Sequence, residues 1–174
     1  MKKVLIVGPG GSGKSTMARA LGEKLALEVL HLDRFYWSSG WIKPSADEWQ
    51  KTINELLARE SWIIDGNYSG TLVQRIEACD TIIFLDIPTL TCLWRITKRR
   101  LLYRYQTRPD MADGCDEKLD FEFISWVLGY ARRSRPKVVK LIEENRTKKK
   151  IVWLRSTRAV NEFVETIAIQ GSPH

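Results

Sequence analysis

Five short apolar runs punctuate the chain, at residues 4–7, 29–32, 62–64, 81–87 and 151–154, and between them the apolar positions become spaced instead of continuous. A short run rich in Val, Ile and Leu reads as a strand covered on both faces. The spaced stretches read as helices. Over 14–27 the pattern is Met17, Ala20, Leu21 and Leu25. Pro44 and then Ser45-x-x-Glu48 form a capping box ahead of Trp49, Ile53, Leu56 and Leu57, an i, i+4, i+7, i+8 stripe that predicts a second helix. From Pro88 a further pattern sets Leu90, Leu93, Trp94, Thr97 and Leu101 on one side and Arg95 and Arg99 on the other. Leu119, Phe123, Trp126, Val127 and Tyr130 signal another helix, which Pro136 bends or restarts. Val160, Phe163, Val164 and Ile167 mark the last one, after a Ser156-Thr157 start.

Strands alternating with helices predict an α/β fold, a parallel sheet with helices on both faces. With 174 residues, 44% of them hydrophobic, the chain has material for one substantial core, and a single domain over 1–174 is expected. Residues 103–117 follow neither period and contain Pro109 and Gly114, so they read as a long loop, a kind usually kept for function. No repeat or low-complexity tract interrupts the pattern, and residues 170–174 read as a frayed tail.

The first strand runs directly into Gly8-Pro9-Gly10-Gly11-Ser12-Gly13-Lys14-Ser15, the G-x-x-x-x-G-K-[ST] phosphate loop, and a helical pattern follows at once. Glycines let the backbone fold into a nest of N–H donors at the positive end of a helix, where a polyphosphate fits. Gly8, Gly10, Gly11, Ser12 and Gly13 are the expected cradle for ATP. Lys14 reaches the β- and γ-phosphates as a mobile charge. The Ser15 hydroxyl is placed to ligate Mg2+, with Thr16 as a secondary oxygen.

In open α/β sheets ligands lie beyond the carboxyl ends of the strands. Asp33, Asp65, Asp86 and Arg155 follow or close the second to fifth runs. Asp33 is the candidate to orient or deprotonate an acceptor hydroxyl, and Asp65 suits the magnesium, directly or through water; the two roles are exchangeable on the sequence alone. Asp86, just before Pro88, reads as a structural bond to the adjacent loop. Arg155 joins the nucleotide-binding set. Phe35, Tyr36, Trp37 and Trp41 form either a stacking wall for an acceptor ring or a small local core, the core being favoured.

Charge sharpens this picture. The net charge is +7, yet residues 1–87 hold 10 basic against 11 acidic side chains and residues 88–174 hold 18 against 10, so the surplus is confined to the second half. Arg95, Lys98, Arg99, Arg100, Arg104 and Arg108 stand between residues 91 and 109 without one acidic neighbour, a field that attracts phosphate oxygens. A lid closing on nucleotide is preferred over a nucleic-acid surface or a plain solvated face. Arg104 and Arg108 are its expected catalytic members, with Arg132, Arg133 and Arg135 completing the cage.

Other classes are set aside. The apolar stretch after Lys2 and Lys3 ends at Gly8 after four residues, too short for a secretory core or a membrane span, so a cytoplasmic protein without a membrane partner is expected. Cys79, Cys92 and Cys115 are odd in number and include no C-x-x-C pair, which argues against a disulfide framework or a zinc site.

The phosphate loop, Ile63-Ile64-Asp65-Gly66, Leu85-Asp86-Ile87-Pro88 before an arginine-bearing helix, and the basic loop beyond it resemble the adenylate-kinase-like branch of P-loop kinases. His31-Leu32-Asp33 with Trp37 and Trp41, Asp65-Gly66-Asn67-Tyr68, Arg108-Pro109-Asp110-Met111 and Gly114-Cys115 before Glu117-Lys118-Leu119-Asp120 resemble the DNA topology modulation (FlaR-related) group within it. The likeness covers nearly the whole chain. It implies a three-layer α/β/α P-loop NTPase fold with a five-stranded parallel sheet in order 2-3-1-4-5. It also implies a base site near Ser156, Thr157 and Arg158, and a lid at about 103–118.

Two departures bear on the acceptor. Adenylate kinases usually follow Asp-Gly with Phe-Pro-Arg, whose arginine grips the acceptor's phosphate; here Asn67-Tyr68-Ser69 stands there, with Arg75 on the next helix as a substitute. Asp33-Arg34-Phe35-Tyr36 instead resembles uridine kinases, whose aspartate after the second strand meets the acceptor hydroxyl. The expectation is an ATP- and Mg2+-dependent kinase acting on a small nucleoside- or nucleotide-like hydroxyl compound. The alternative is an ATP-binding protein that acts on DNA through its basic half.

Overall fold

In the computed structural model, which describes residues 1–102, 114 and 121–170, the apolar runs become β1 (Lys3–Val7), β2 (Val29–His31), β3 (Trp62–Asp65), β4 (Thr81–Leu85) and β5 (Lys150–Leu154). All neighbours pair in parallel, in the order β2-β3-β1-β4-β5. This is the sheet order that the resemblance implies. The central strands are apolar at consecutive positions because both faces are covered.

Leu5, Val7, Ile64, Ile82 and Phe84 look toward α3 (Ala46–Leu57), α4 (Leu72–Ala78) and α7 (Arg135–Glu144), whose Ile53, Leu56, Ile76, Val138 and Ile142 close that side. Val4, Ile6, Ile63, Ile83 and Leu85 look the other way. There α1 (Lys14–Leu25), α5 (Thr89–Leu102), α6 (Phe121–Arg133) and α8 (Thr157–Gln170) contribute Met17, Leu21, Cys92, Ile96, Val127 and Ile167. Each fully buried Ile or Leu contributes about 1.5–3 kcal/mol, so this double core is what fixes the strand ends in space.

The capping box forms as expected: Ser45 Oγ accepts from the Glu48 N–H at 3.3 Å and the Glu48 carboxylate accepts from the Ser45 N–H at 2.8 Å. Pro136 restarts the chain, sitting in the first turn of α7 after α6 has ended. β2 is shorter than its apolar run because Leu32 opens a short helix, α2 (Leu32–Tyr36), which also carries Asp33. β4 likewise ends at Leu85 and not at 87.

The predicted apolar side of α5 is overturned in part: Leu93 packs half-buried against the core, but the rest of that side does not. Leu90, Trp94 and Leu101 are 81%, 63% and 73% exposed, whereas Cys92 and Ile96 are buried and Arg95 and Arg99 lie half-buried beside them. The reason is steric. This helix leans on the phosphate loop, and a methyl group built on Gly11 would stand 2.5 Å from the Cys92 carbonyl oxygen. Only a narrow face passes so close to a backbone, and Cys92 offers one where Trp94 cannot.

Candidate active site

The phosphate loop spans the gap between β1 and α1, where the motif and its flanking patterns placed it. Gly11 has φ 77°, a left-handed conformation that an L side chain resists. Gly10 is limited by space: an added methyl would meet the Phe123 ring of α6 at 2.9 Å. The loop is therefore clamped from outside by α5 and α6. Inside it, Ser12 Oγ is buried and finds no hydrogen-bond partner among the described residues, a leftover polar atom of the kind that ligand-binding loops keep. Thr16 is exposed in the first turn of α1.

Lys14 folds back on the loop, donating to the carbonyl oxygens of Gly8 at 3.0 Å and Pro9 at 2.8 Å. Burial pushes its pKa down, offset in part by the charges of Asp65 and then Asp33, while Arg99 adds to the lowering. A half-buried ammonium that feels two carboxylates and a guanidinium, and is held only by carbonyl oxygens, is a charge waiting for a stronger anion. Both strand-end aspartates thus act on the same lysine.

Asp65 is 4% exposed, and each of its oxygens is engaged: Oδ1 meets His31 Nδ1 at 2.6 Å and Oδ2 accepts from the Ser15 hydroxyl at 2.8 Å. The sheet dictates the first contact, because the parallel register sets His31 directly beside Asp65. The Ser15–Asp65 pair brings a hydroxyl and a carboxylate together at the loop, hard oxygen donors of the kind Mg2+ takes alongside phosphate oxygens. Asp33, in the first turn of α2, is half-buried, and its Oδ1 accepts from the Tyr68 hydroxyl at 2.7 Å.

Tyr68 belongs to an aromatic group that the sequence left half-recognised. Its ring lies 4.5 Å from Tyr36 and 5.1 Å from Trp49, with Trp37 and Trp41 continuing the group. The rings pack on one another in tilted and edge-on pairs, so the local-core reading of Tyr36, Trp37 and Trp41 is the one observed. Phe35 is 39% exposed.

Two arginines, Arg75 and Arg135, stand differently from expectation. Arg75, the substitute grip for an acceptor phosphate, is fully buried and donates to the carbonyls of Thr71, Gly66 and Tyr68 at 3.3, 2.9 and 2.6 Å; burial lowers its pKa to about 10. It has no face left for a ligand. Arg135, expected in the phosphate cage, instead makes a two-point pair with Asp86, Nε to Oδ1 and Nη2 to Oδ2, both 2.8 Å. Asp86 is accordingly structural, as read, although its partner lies on α7 and on Trp153, not in the adjacent loop. Arg155 stacks 5.0 Å over the Trp153 ring and borders an open cleft with Glu143, Arg146 and Ser156. Arg132 and Arg133 are exposed at the end of α6.

Sequence reasoning counted Arg95 in the basic field and Asn67 in a motif, and missed what each one holds. Arg95 donates to the Ser12 carbonyl at 3.0 Å and to Thr157 Oγ1 at 2.7 Å, tying the phosphate loop to the start of α8. The Cys92–Ile96 spacing, with Arg95 and Arg99 flanking it, was the available signal. Asn67 pairs its amide with both the N–H and the carbonyl of Gly8. Arg104, Arg108 and the 103–118 lid lie outside the described residues, apart from Gly114, whose carbonyl accepts from the Gly40 N–H at 3.2 Å.

The comparisons bear on the fold. A model of the ATPase family associated with various cellular activities (AAA) matches residues 4–86, the segment from β1 through Asp86. YqaC of Bacillus subtilis (strain 168) is 29% identical over 131 residues, 74% of this chain and 72% of that protein. An adenylate kinase of Clostridium perfringens is 23% identical, with 98% of this chain and 99% of the enzyme covered. Threonine synthase-like 1 of Mus musculus is 24% identical over 115 residues, 58% of this chain, which spans only 15% of that protein's length.

Among solved structures, shikimate kinase from Acinetobacter baumannii in complex with shikimate superposes with a TM-score of 0.63 at 17% identity, over 96% of this chain and 90% of that one. Deoxyadenosine kinase from M. mycoides with bound dATP gives 0.53 at 15%, over 94% and 97%. The fold is that of the P-loop kinases. Among the described residues no helix is long and apolar enough to cross a membrane.

Proposed function

We propose that this chain is an ATP- and Mg2+-dependent kinase that transfers a phosphoryl group to a hydroxyl of a small, unphosphorylated, nucleoside-like acceptor. The observation that carries the reading is what meets at the phosphate loop: the Lys14 ammonium folded on the Gly8 and Pro9 carbonyls, the Ser15–Asp65 pair beside it, and Asp33, whose charge also acts on Lys14. The kinases among its structural neighbours support the same class of chemistry.

In this reading the backbone N–H groups of residues 8–13 and the Lys14 ammonium hold the polyphosphate, and Lys14 exchanges two carbonyl partners for phosphate oxygens. Ser15 and Asp65 would hold Mg2+, which when bound would supply neutralisation of phosphate charge. Asp33 accepts the proton of the acceptor hydroxyl as its oxygen bonds to the γ-phosphorus. The bond from that phosphorus to the β,γ-bridging oxygen breaks, and ADP leaves. Arg95 and Arg99 bring positive charge to the loop from α5, Arg104 and Arg108 add to it, and the base rests on the 155–158 loop beside Arg155. The engagement of Arg75 with backbone carbonyls supports an acceptor without a phosphate of its own.

A coupled ADP-release screen over nucleosides, nucleoside monophosphates, shikimate and sugar acids tests the proposal, with plasmid DNA as a parallel arm. Release driven by one hydroxyl compound supports it. Release stimulated only by DNA, with a steep salt dependence, replaces it with the DNA-acting alternative.

A further inference from the structure

One short segment touches both halves of the site. Residues 66–71 leave the end of β3, pass through a 3₁₀ turn at Ser69–Thr71 and enter α4. Burying a cation without a carboxylate partner is expensive, and here the compensation is local: the fully buried Arg75 guanidinium holds the carbonyl oxygens of Gly66, Tyr68 and Thr71. Three of the segment's backbone oxygens are thereby fixed to one rigid fork. Leu32 closes on it from the other side, its Cβ 2.9 Å from where a methyl on Gly66 would stand.

Two adjacent side chains project from this fixed backbone in different directions. Asn67 takes the N–H and carbonyl of Gly8, the first residue of the phosphate loop, in a two-point grip. Gly8 shares its carbonyl with Lys14, so when Lys14 turns to a phosphate, Asn67 still holds that end of the loop. Tyr68 donates a hydrogen bond from its hydroxyl to Asp33 while its ring packs against Tyr36 and Trp49. Burial and then the Asp33 charge raise the phenol's pKa, so it stays a donor.

We propose that segment 66–71 is a positioning element shared by the two substrates, in which Asn67 sets the phosphate loop for ATP and Tyr68 sets Asp33 for the acceptor. The Tyr68 half rests on the role given to Asp33 above. Neither side chain need touch a reacting atom; each acts through the group it holds, and Arg75 makes the two act together.

The test separates the halves with variants that remove single contacts. The probes are β,γ-imido ATP with Mg2+ in calorimetry, and the slow transfer of phosphoryl to water, which needs no other acceptor. Asn67→Ala raises the Kd for β,γ-imido ATP about tenfold, and most of its loss in kcat/KM lies in KM. Tyr68→Phe lowers kcat about tenfold, with most of its loss in kcat. A merely structural role would not split the two constants in opposite ways. In thermal melts Tyr68→Phe with Asp33→Ala loses no more Tm than Asp33→Ala alone, and this readout is independent of turnover.

Unchanged analogue affinity in Asn67→Ala, or additive Tm losses for Tyr68 and Asp33, overturns the proposal. An Asp33→Asn protein with full turnover instead removes the Asp33 role itself. Loss in Asp33→Asn with none in Tyr68→Phe leaves that role standing and defeats only the present inference.

Discussion

His31 and Asp65 stand side by side on adjacent parallel strands, Nδ1 to Oδ1 2.6 Å apart, and the second carboxylate oxygen accepts from Ser15 at 2.8 Å. The imidazole therefore holds one oxygen of the carboxylate and leaves the other turned to the phosphate loop, a supporting contact of the kind that orients metal ligands. Removing it strands a buried carboxylate oxygen. His31→Ala is expected to lose about 1–3 kcal/mol of stability in chemical denaturation. It should also weaken Mg2+-dependent ATP binding about tenfold in calorimetry. His31→Asn, which keeps a side-chain N–H, recovers most of the affinity. Equal affinity in the alanine and asparagine variants would remove the orienting role.

In the proposed mechanism Lys14 and Asp33 carry the chemistry, and they are expected to fail differently. Lys14→Ala removes the charge that meets the transferred group and lowers turnover by roughly a thousandfold or more. Asp33→Asn keeps the shape and the ATP site but no longer takes a proton, lowering kcat on the order of a hundredfold with ATP binding largely retained. Steady-state kinetics with the acceptor found in the screen, read beside calorimetry with β,γ-imido ATP, distinguishes the two patterns.

These residues mark how far the sequence could be read. The phosphate loop, the five strands and the Ser45 capping box were legible because each depends on spacing within a short window, and local geometry then enforces it. Asp33 and Asp65 were legible as strand-end carboxylates, but their partners were not. His31 meets Asp65 only through strand register, and Tyr68 meets Asp33 across 35 residues of chain. The face of α5 was misread for the opposite reason: its bulky apolar side chains outnumbered Cys92 and Ile96, while steric room beside Gly11 decided the matter. Arg75 and Arg135 looked like ligand grips because charge shows in a sequence, whereas three backbone carbonyls and a distant aspartate do not.

Arg95 spans three elements, with its base on α5 and its guanidinium between the Ser12 carbonyl and Thr157 Oγ1. It holds the back of the phosphate loop against the start of α8. Arg95→Met keeps the aliphatic stem and deletes both bonds. Loss of about 1–2 kcal/mol of stability is expected, since the contacts are charge-assisted but partly exposed to water. The KM for ATP should rise severalfold with a smaller change in kcat. An unchanged KM would reduce Arg95 to a purely structural tie.

Asp86 gives the fold a dependence on acid. Burial pushes its carboxyl upward, but the hydrogen bonds from Arg135 and Trp153 and the nearby charges outweigh that and hold it below the usual carboxylate range. A carboxyl with a lower pKa folded than unfolded stabilises the protein fully above its unfolded value, about 3.9, and that contribution fades as pH falls through the folded value. Asp86→Asn is therefore expected to melt below wild type by a nearly constant margin from pH 7 to about 5. The margin should shrink below about pH 4, because the wild-type carboxyl then begins to take up the proton that weakens its pair with Arg135. Thermal melts of both proteins across that range measure it directly. A margin unchanged at the acid end would mean that shape at residue 86, and not the charge pairing across β4 and α7, holds this corner of the sheet.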